Sequence, residues 1–166
     1  LCYNVSVPMP PESRVGLNAH LLSLTLSYRG AGINGYIYQL LRHLPEADRG
    51  LDYVAYLHEP GFAPVDGLAV RRSRCDTRSP WRRIAWEQTR LALESRRLSV
   101  LHGLAFAGPL AAQCPTVITV HDLAFLRFPQ AFHRGNRTYL RLFTRLSTRR
   151  AARVIAVSES TRRDVI

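Results

Sequence analysis

Residues able to do chemistry fall at the ends of apolar runs. His102-Gly103 closes the run Leu98–His102, His121-Asp122 closes Pro115–His121, and Ser158-Glu159-Ser160 closes Arg153–Ser158. Asn18 and His20 end a first run, Arg14–Ala19, and lead into Tyr28-Arg29-Gly30-Ala31-Gly32-Ile33-Asn34-Gly35. In an open α/β sheet, ligands bind outside the carboxyl ends of the strands. Asn18, Gly30, Gly32, Asn34, Gly35, His102, Asp122, Ser158 and Glu159 are therefore candidate binding residues on one sheet edge. His121 is the candidate catalytic residue, as a hydrogen-bond donor to a sugar or phosphate or as an acid/base. The alternative has Asp122 capping a turn and His121 satisfied by a backbone partner. No serine sits on a nucleophile elbow. The histidines show no paired ligand spacing, so no metal is expected.

The glycines at 30, 32 and 35 fit G-x-G-x-x-G. That fingerprint places its first glycine directly after a strand, so that a pyrophosphate meets a helix N-terminus. Here His20–Arg29 intervene, and Glu59 could supply the acidic residue that usually follows. A displaced NAD(P) site, a flexible loop tip, and a loop whose bare N–H groups approach a phosphate or sugar all stay open.

The elements that must position these residues alternate. Strands are expected at Arg14–Ala19, Asp52–His58, Leu68–Arg72, Leu98–His102, Pro115–His121 and Arg153–Ser158, with continuous apolar runs marking the fourth and fifth as covered on both faces. Ile33, Ile37, Leu40, Leu41 and Leu44 share a helical face. Ser79-Pro80 starts a helix to about Arg97 that is expected to bury Trp81, Ile84, Ala85 and Leu91. Another helix spans about Asn136–Ala152, with arginines at 137, 141, 145 and 149 opposite Tyr139, Leu140, Phe143 and Leu146. The alternation predicts an α/β fold, a doubly wound, mostly parallel sheet with helices on both faces. Leu1–Ser13 reads as an N-terminal arm and 14–166 as one domain. Thr161-Arg162-Arg163-Asp164 resembles a capping box opening a further helix, so the chain is expected to be part of something longer.

The 166 residues carry 23 arginines, no lysine and a net charge of +11. The excess is regional: residues 71–97 and 127–166 are strongly basic, while 1–70 are slightly acidic. Such segments suit anionic partners: nucleic acid, phosphoryl groups or an acidic membrane surface. They are equally the solvated surface of a chain that uses arginine for lysine. A basic nucleic-acid-binding module is the rival reading, although no helix-turn-helix or aromatic-strand signature supports it. No apolar run approaches bilayer length, no secretory signal is recognisable, and three cysteines fit no metal spacing, which together predict a cytoplasmic protein.

Several segments together resemble one family. R-V-G-L-N-A-H, A-G-I-N-G-Y-I-Y-Q-L-L-R-H-L, L-H-G, P-T-V-I-T-V-H-D-L-A-F-L-R-F-P and A-A-R-V-I-A-V-S-E-S-T-R-R-D-V-I are similar to the N-terminal domain of family 4 (group 1) glycosyltransferases. The resemblance implies a retaining GT-B enzyme whose two Rossmann-like domains face a cleft. It implies a nucleotide diphosphate sugar as donor, a sugar, lipid-linked or other acceptor, and neither a cofactor nor an obligatory metal. Gly30–Gly35 would face the donor sugar and phosphates, and His121 the reacting sugar. The acceptor would lie on this domain, with donor contacts and a glutamate pair on a second domain outside these 166 residues. The arginine-rich segments are then better read as a lean toward an anionic membrane surface, on its cytoplasmic side, or a phosphorylated acceptor than as a nucleic-acid signature, and no nucleic acid is expected as partner. Family members often read G-I-G-R-Y where this chain has Gly32-Ile33-Asn34-Gly35-Tyr36, so the arginine is replaced by Gly35.

Overall fold

The computed structural model describes residues 13–24, 31–76 and 79–165. Gly30 and residues 1–12 of the expected arm lie outside the described residues. Six strands form one sheet: β1 (Arg14–Asn18), β2 (Asp52–Leu57), β3 (Leu68–Arg72), β4 (Val100–Gly103), β5 (Thr116–Val120) and β6 (Arg153–Ala156). Their order is β3-β2-β1-β4-β5-β6, with every pairing parallel. The chain winds outward from β1 to β3, crosses back, and winds outward again from β4 to β6. The order reverses between β1 and β4, and a ligand crevice is expected there.

Side-chain alternation along the strands builds a core on each face. On one face Leu17, Ala19, Tyr53, Ala55 and Leu57 pack with Ile37 and Leu41 of α1 (Ala31–Ala47). On the other, Val54, Tyr56 and Leu101 meet Leu91 and Leu98. Beside them Ile118 and Val120 meet Leu123, Phe125 of α4 (Ala124–Arg127) and half-buried Leu140 of α5 (Arg134–Arg150). The expected doubly wound sheet is thus observed. Two glycines let the second layer approach. A Cβ on Gly16 would collide with Leu98, and one on Gly103 would sit 2.7 Å from the Ala107 carbonyl. Among the described residues β6 pairs on one side only, with β5, and Val154, Ile155 and Val157 stand 37–48% exposed along it.

Four expectations need correction. The helix from Pro80 to Arg97 is a composite: α2 (Pro80–Trp86), a π-helical turn (Glu87–Leu91), α3 (Ala92–Glu94) and a 3₁₀ turn (Ser95–Arg97). Leu91 is fully buried as expected, but Trp81 is 67% exposed, Ala85 is exposed and Ile84 only half-buried. Trp81 lies against Gly135 at the start of α5 rather than over the sheet. The extra residue in the π turn shifts the phase that an unbroken 3.6-residue period assigns to the first turns. Gly32, Asn34 and Gly35 are not in a loop but in the first turns of α1, where a Cβ on either glycine would meet open space. The last helix, α6 (Glu159–Val165), starts before the expected capping box. Ser158 is its capping residue, accepting the Thr161 N–H at 3.1 Å, and Thr161 lies inside the helix. A serine one residue before the first turn satisfies the orphan N–H groups better than a threonine already within it.

Candidate functional site

Strand β5 carries His121 just beyond its last residue, on the α1 side of the sheet. The ring Nε2 donates to the Leu104 carbonyl at 2.9 Å, which fixes the proton on that nitrogen. Nδ1 is then the acceptor of the neutral ring. Tyr36 of α1 stands edge-on to the imidazole, with centroids 4.9 Å apart, and Phe106 flanks it at 5.8 Å. The His121 carbonyl accepts the Thr161 hydroxyl at 3.0 Å, so the start of α6 holds the same residue from below. Phe106 adopts φ 58°, a left-handed conformation that is strained for a bulky aromatic residue. Its N–H donates to the Thr119 carbonyl at 2.8 Å, and its ring also packs on Phe125.

His102 belongs to the same face but lies beneath the cleft. It is nearly buried, and its Nε2 is 2.8 Å from the Thr119 hydroxyl, which also lies 3.2 Å from the Tyr36 hydroxyl. Burial lowers its pKa from 6.5 to about 4, so the ring is neutral near pH 7. His102 therefore positions Tyr36 through Thr119, and Tyr36 in turn bounds His121.

Asn18 ends β1 and projects to the opposite face. Its Nδ2 donates to Glu87 Oε1 at 3.1 Å, while the Tyr139 hydroxyl of α5 donates to Oε2 at 3.4 Å. Asn18 Oδ1 has no hydrogen-bond partner among the described residues. Glu87 opens the π-helical turn and is 5% exposed. Burial raises its pKa, opposed by the nearby Arg83 guanidinium and by the two hydrogen bonds. Burial likewise raises the Tyr139 pKa, with the Glu87 charge adding to it. The His20 ring lies tilted against Trp86 with centroids 4.0 Å apart, and burial lowers its pKa to about 3, helped by His58 and Arg83. Above this cluster, between α2 and α5, a cleft of about 550 Å3 is lined by Trp81, Arg83, His133, Asn136 and Tyr139. Sequence reasoning missed Glu87, Tyr139 and Arg83. The available signal was a carboxylate between Trp86 and Leu91 on a helix otherwise turned toward the sheet.

Near the strand reversal, the carboxyl end of the sheet thus carries His121 and Tyr36 on one face and buried Asn18 and Glu87 with Tyr139 on the other. The remaining candidates take structural positions. Asp122 is exposed and accepts the Ala124 N–H at 2.8 Å, closing the turn after β5. Ser158 caps α6, and Glu159 is exposed, pairing with Arg162 at 2.7 Å and with Arg163 at 3.5 Å. Asn34 accepts the Ser23 N–H at 3.0 Å, tying the segment after β1 to α1. Among the described residues, no group of three or more His, Cys, Asp or Glu side chains could hold a metal ion. No helix among them is long and apolar enough to cross a membrane.

Residues 30–166 match the protein family described as Glycosyltransferase Family 4, which is most of the chain. A comparison with curated proteins finds no significant match.

Proposed function

The chain belongs to glycosyltransferase family 4, and from that premise we propose that it is the acceptor-side domain of a retaining GT-B hexosyltransferase. The donor is a nucleotide diphosphate sugar, and the acceptor is a sugar or a lipid-linked saccharide. His121 sits beside the reacting sugar, where it offers Nδ1 to a hydroxyl. The start of α1, with Gly32 and Asn34, faces the donor phosphates, whose charge a helix N-terminus favours through its N–H groups and dipole. Transfer then proceeds by approximation of donor and acceptor and by electrostatic stabilisation of the departing diphosphate, with no residue of this chain acting as nucleophile. The arginine face of α5 draws the domain toward an anionic membrane surface on its cytoplasmic side.

The observation that carries this reading is the His121 ring, held by the Leu104 carbonyl and Tyr36 while Thr161 ties its backbone carbonyl, at the carboxyl end of an interior strand. Its test is His121→Ala in the protein that carries both GT-B domains. The expected loss is roughly 10²–10³ in kcat, with the urea midpoint almost unmoved, and unchanged turnover removes His121 from the site. The 166-residue chain alone should transfer no hexose when incubated with nucleotide sugars and an acceptor extract. Turnover by that chain would defeat the assignment to one half of a two-domain catalyst.

A further inference from the structure

Beyond the crevice, the helical run from Pro80 to Arg97 leaves one strip of sheet open. Leu91 and Leu98 pack on Val54 and Tyr56 of β2 and Leu101 of β4, and no β3 residue joins that core. Between the run and the end of β3 lies a cleft of about 730 Å3, walled by Tyr56 and Trp86 and ringed by arginines. Arg72 is engaged by the Phe62 carbonyl at 3.0 Å. Arg71, Arg74 and Arg90 are the cations that remain, against the single carboxylate of Glu94.

The arrangement around Glu94 is specific. Arg71, from the strand end, reaches one carboxylate oxygen at 2.7 Å, and Arg90, from the π-helical turn, reaches the other at 2.8 Å. The Glu94 side chain is 11% exposed, whereas those of Arg71 and Arg90 are 46% and 65% exposed. Both carboxylate oxygens are thus engaged, and two guanidiniums are held over the same space with most of their five N–H donors uncommitted among the described residues. Arg74 enters no ion pair described among these residues and adds a third cation. Two guanidiniums share one carboxylate and Arg74 lines the same cleft, so the site carries an excess of positive charge. Pre-positioned guanidiniums beside an aromatic wall suit a phosphoryl group, whose oxygens match the guanidinium fork.

We propose that this cleft binds a phosphomonoester or diphosphate carried by the acceptor. That role rests on the acceptor-side reading above, whereas the binding itself does not. A lipid headgroup and a soluble sugar phosphate would present the same oxygens, and Glu94 acts as a positioning residue toward either.

The test uses inorganic diphosphate and the emission of Trp86. The chain has two tryptophans, so Trp81→Phe leaves Trp86 as the sole reporter at the cleft wall. Diphosphate should change its emission saturably. Arg74→Gln and Arg90→Gln should each weaken binding by about tenfold, equivalent to about 1.4 kcal/mol. Arg141→Gln with Arg145→Gln removes the same charge from the exposed face of α5 and should leave the Kd within about twofold, because screening weakens distant charges. Arg74→Gln breaks no described ion pair, so it stays informative should the Arg90 variant unfold. A non-saturating response, or equal weakening by both pairs of substitutions, overturns the proposal.

Co-sedimentation with phosphatidylcholine vesicles, with and without phosphatidic acid, separates the sources. Loss of phosphatidic acid-dependent binding in the Arg74/Arg90 variant assigns a lipid-borne phosphate, and vesicle binding indifferent to that variant assigns a soluble one. Intact diphosphate binding alongside unaltered turnover of His121→Ala would defeat the assigned role of His121 and leave the cleft standing.

Discussion

Glu87 illustrates how a single side chain can carry two opposed demands. Its carboxylate is buried, which favours the protonated form, yet two donors and the Arg83 charge favour the ionised one. Glu87→Gln keeps the shape, an acceptor for Asn18 and a donor for the Tyr139 oxygen, while removing the cost of a buried charge. The expected change in unfolding free energy near pH 7 is under about 1 kcal/mol, whereas Glu87→Ala, which orphans Asn18 and Tyr139, should cost about 1–3 kcal/mol. Urea denaturation of the two variants checks the difference. His121 and Asn18 were legible in the sequence because a polar residue closing an apolar run must emerge at a sheet edge. Glu87 was not, since its burial depends on Tyr139, 52 residues further along and on another helix.

Among the elements, the crossover from β4 to β5 is the tightest. Gly103 ends β4 where the following loop folds back, and a Cβ there would meet both the Ala107 carbonyl at 2.7 Å and Ile118 Cδ1 at 2.8 Å. The carbonyl belongs to backbone and cannot rotate away. Gly103→Ala is therefore expected to destabilise by about 1–3 kcal/mol, read as a lowered urea midpoint with an unchanged slope. The six strands were readable to within a residue or two, because their apolar runs are short and bounded. The boundaries of the helices were harder. α1 starts at Ala31, and glycine-rich composition conceals that start, since glycine disfavours helix interiors and favours loops. The π-helical turn has no periodic signature in the sequence; it spans Glu87, bonded to Asn18 and Tyr139, and fully buried Leu91.

For the molecule as a whole, the two buried histidines set the acid response. His20 and His102 have pKa values of about 3 and about 4 in the fold, against 6.5 ordinarily. The unfolded chain therefore binds more protons below about pH 6.5, and stability is lost as pH falls from there toward about 4. Glu87 acts with the opposite sign: its raised pKa contributes stability below the ordinary 4.5 that is lost as pH rises through the folded value. The melting temperature should fall as pH drops from about 6.5 to about 4, and His102→Gln should flatten that slope. A slope unchanged by the substitution would assign the acid sensitivity elsewhere. The +11 charge, legible at once, did not reveal that Arg71 and Arg90 are drawn onto one carboxylate; that grouping requires the β3 register and the helical phase together. The border strand β6 has a different consequence. Its outer row of backbone donors and acceptors is flanked by exposed valine and isoleucine, a template onto which another extended segment can add by main-chain pairing. Handled as an isolated polypeptide, the domain is therefore a candidate for edge-to-edge self-association, with its positive charge as the main force keeping copies apart.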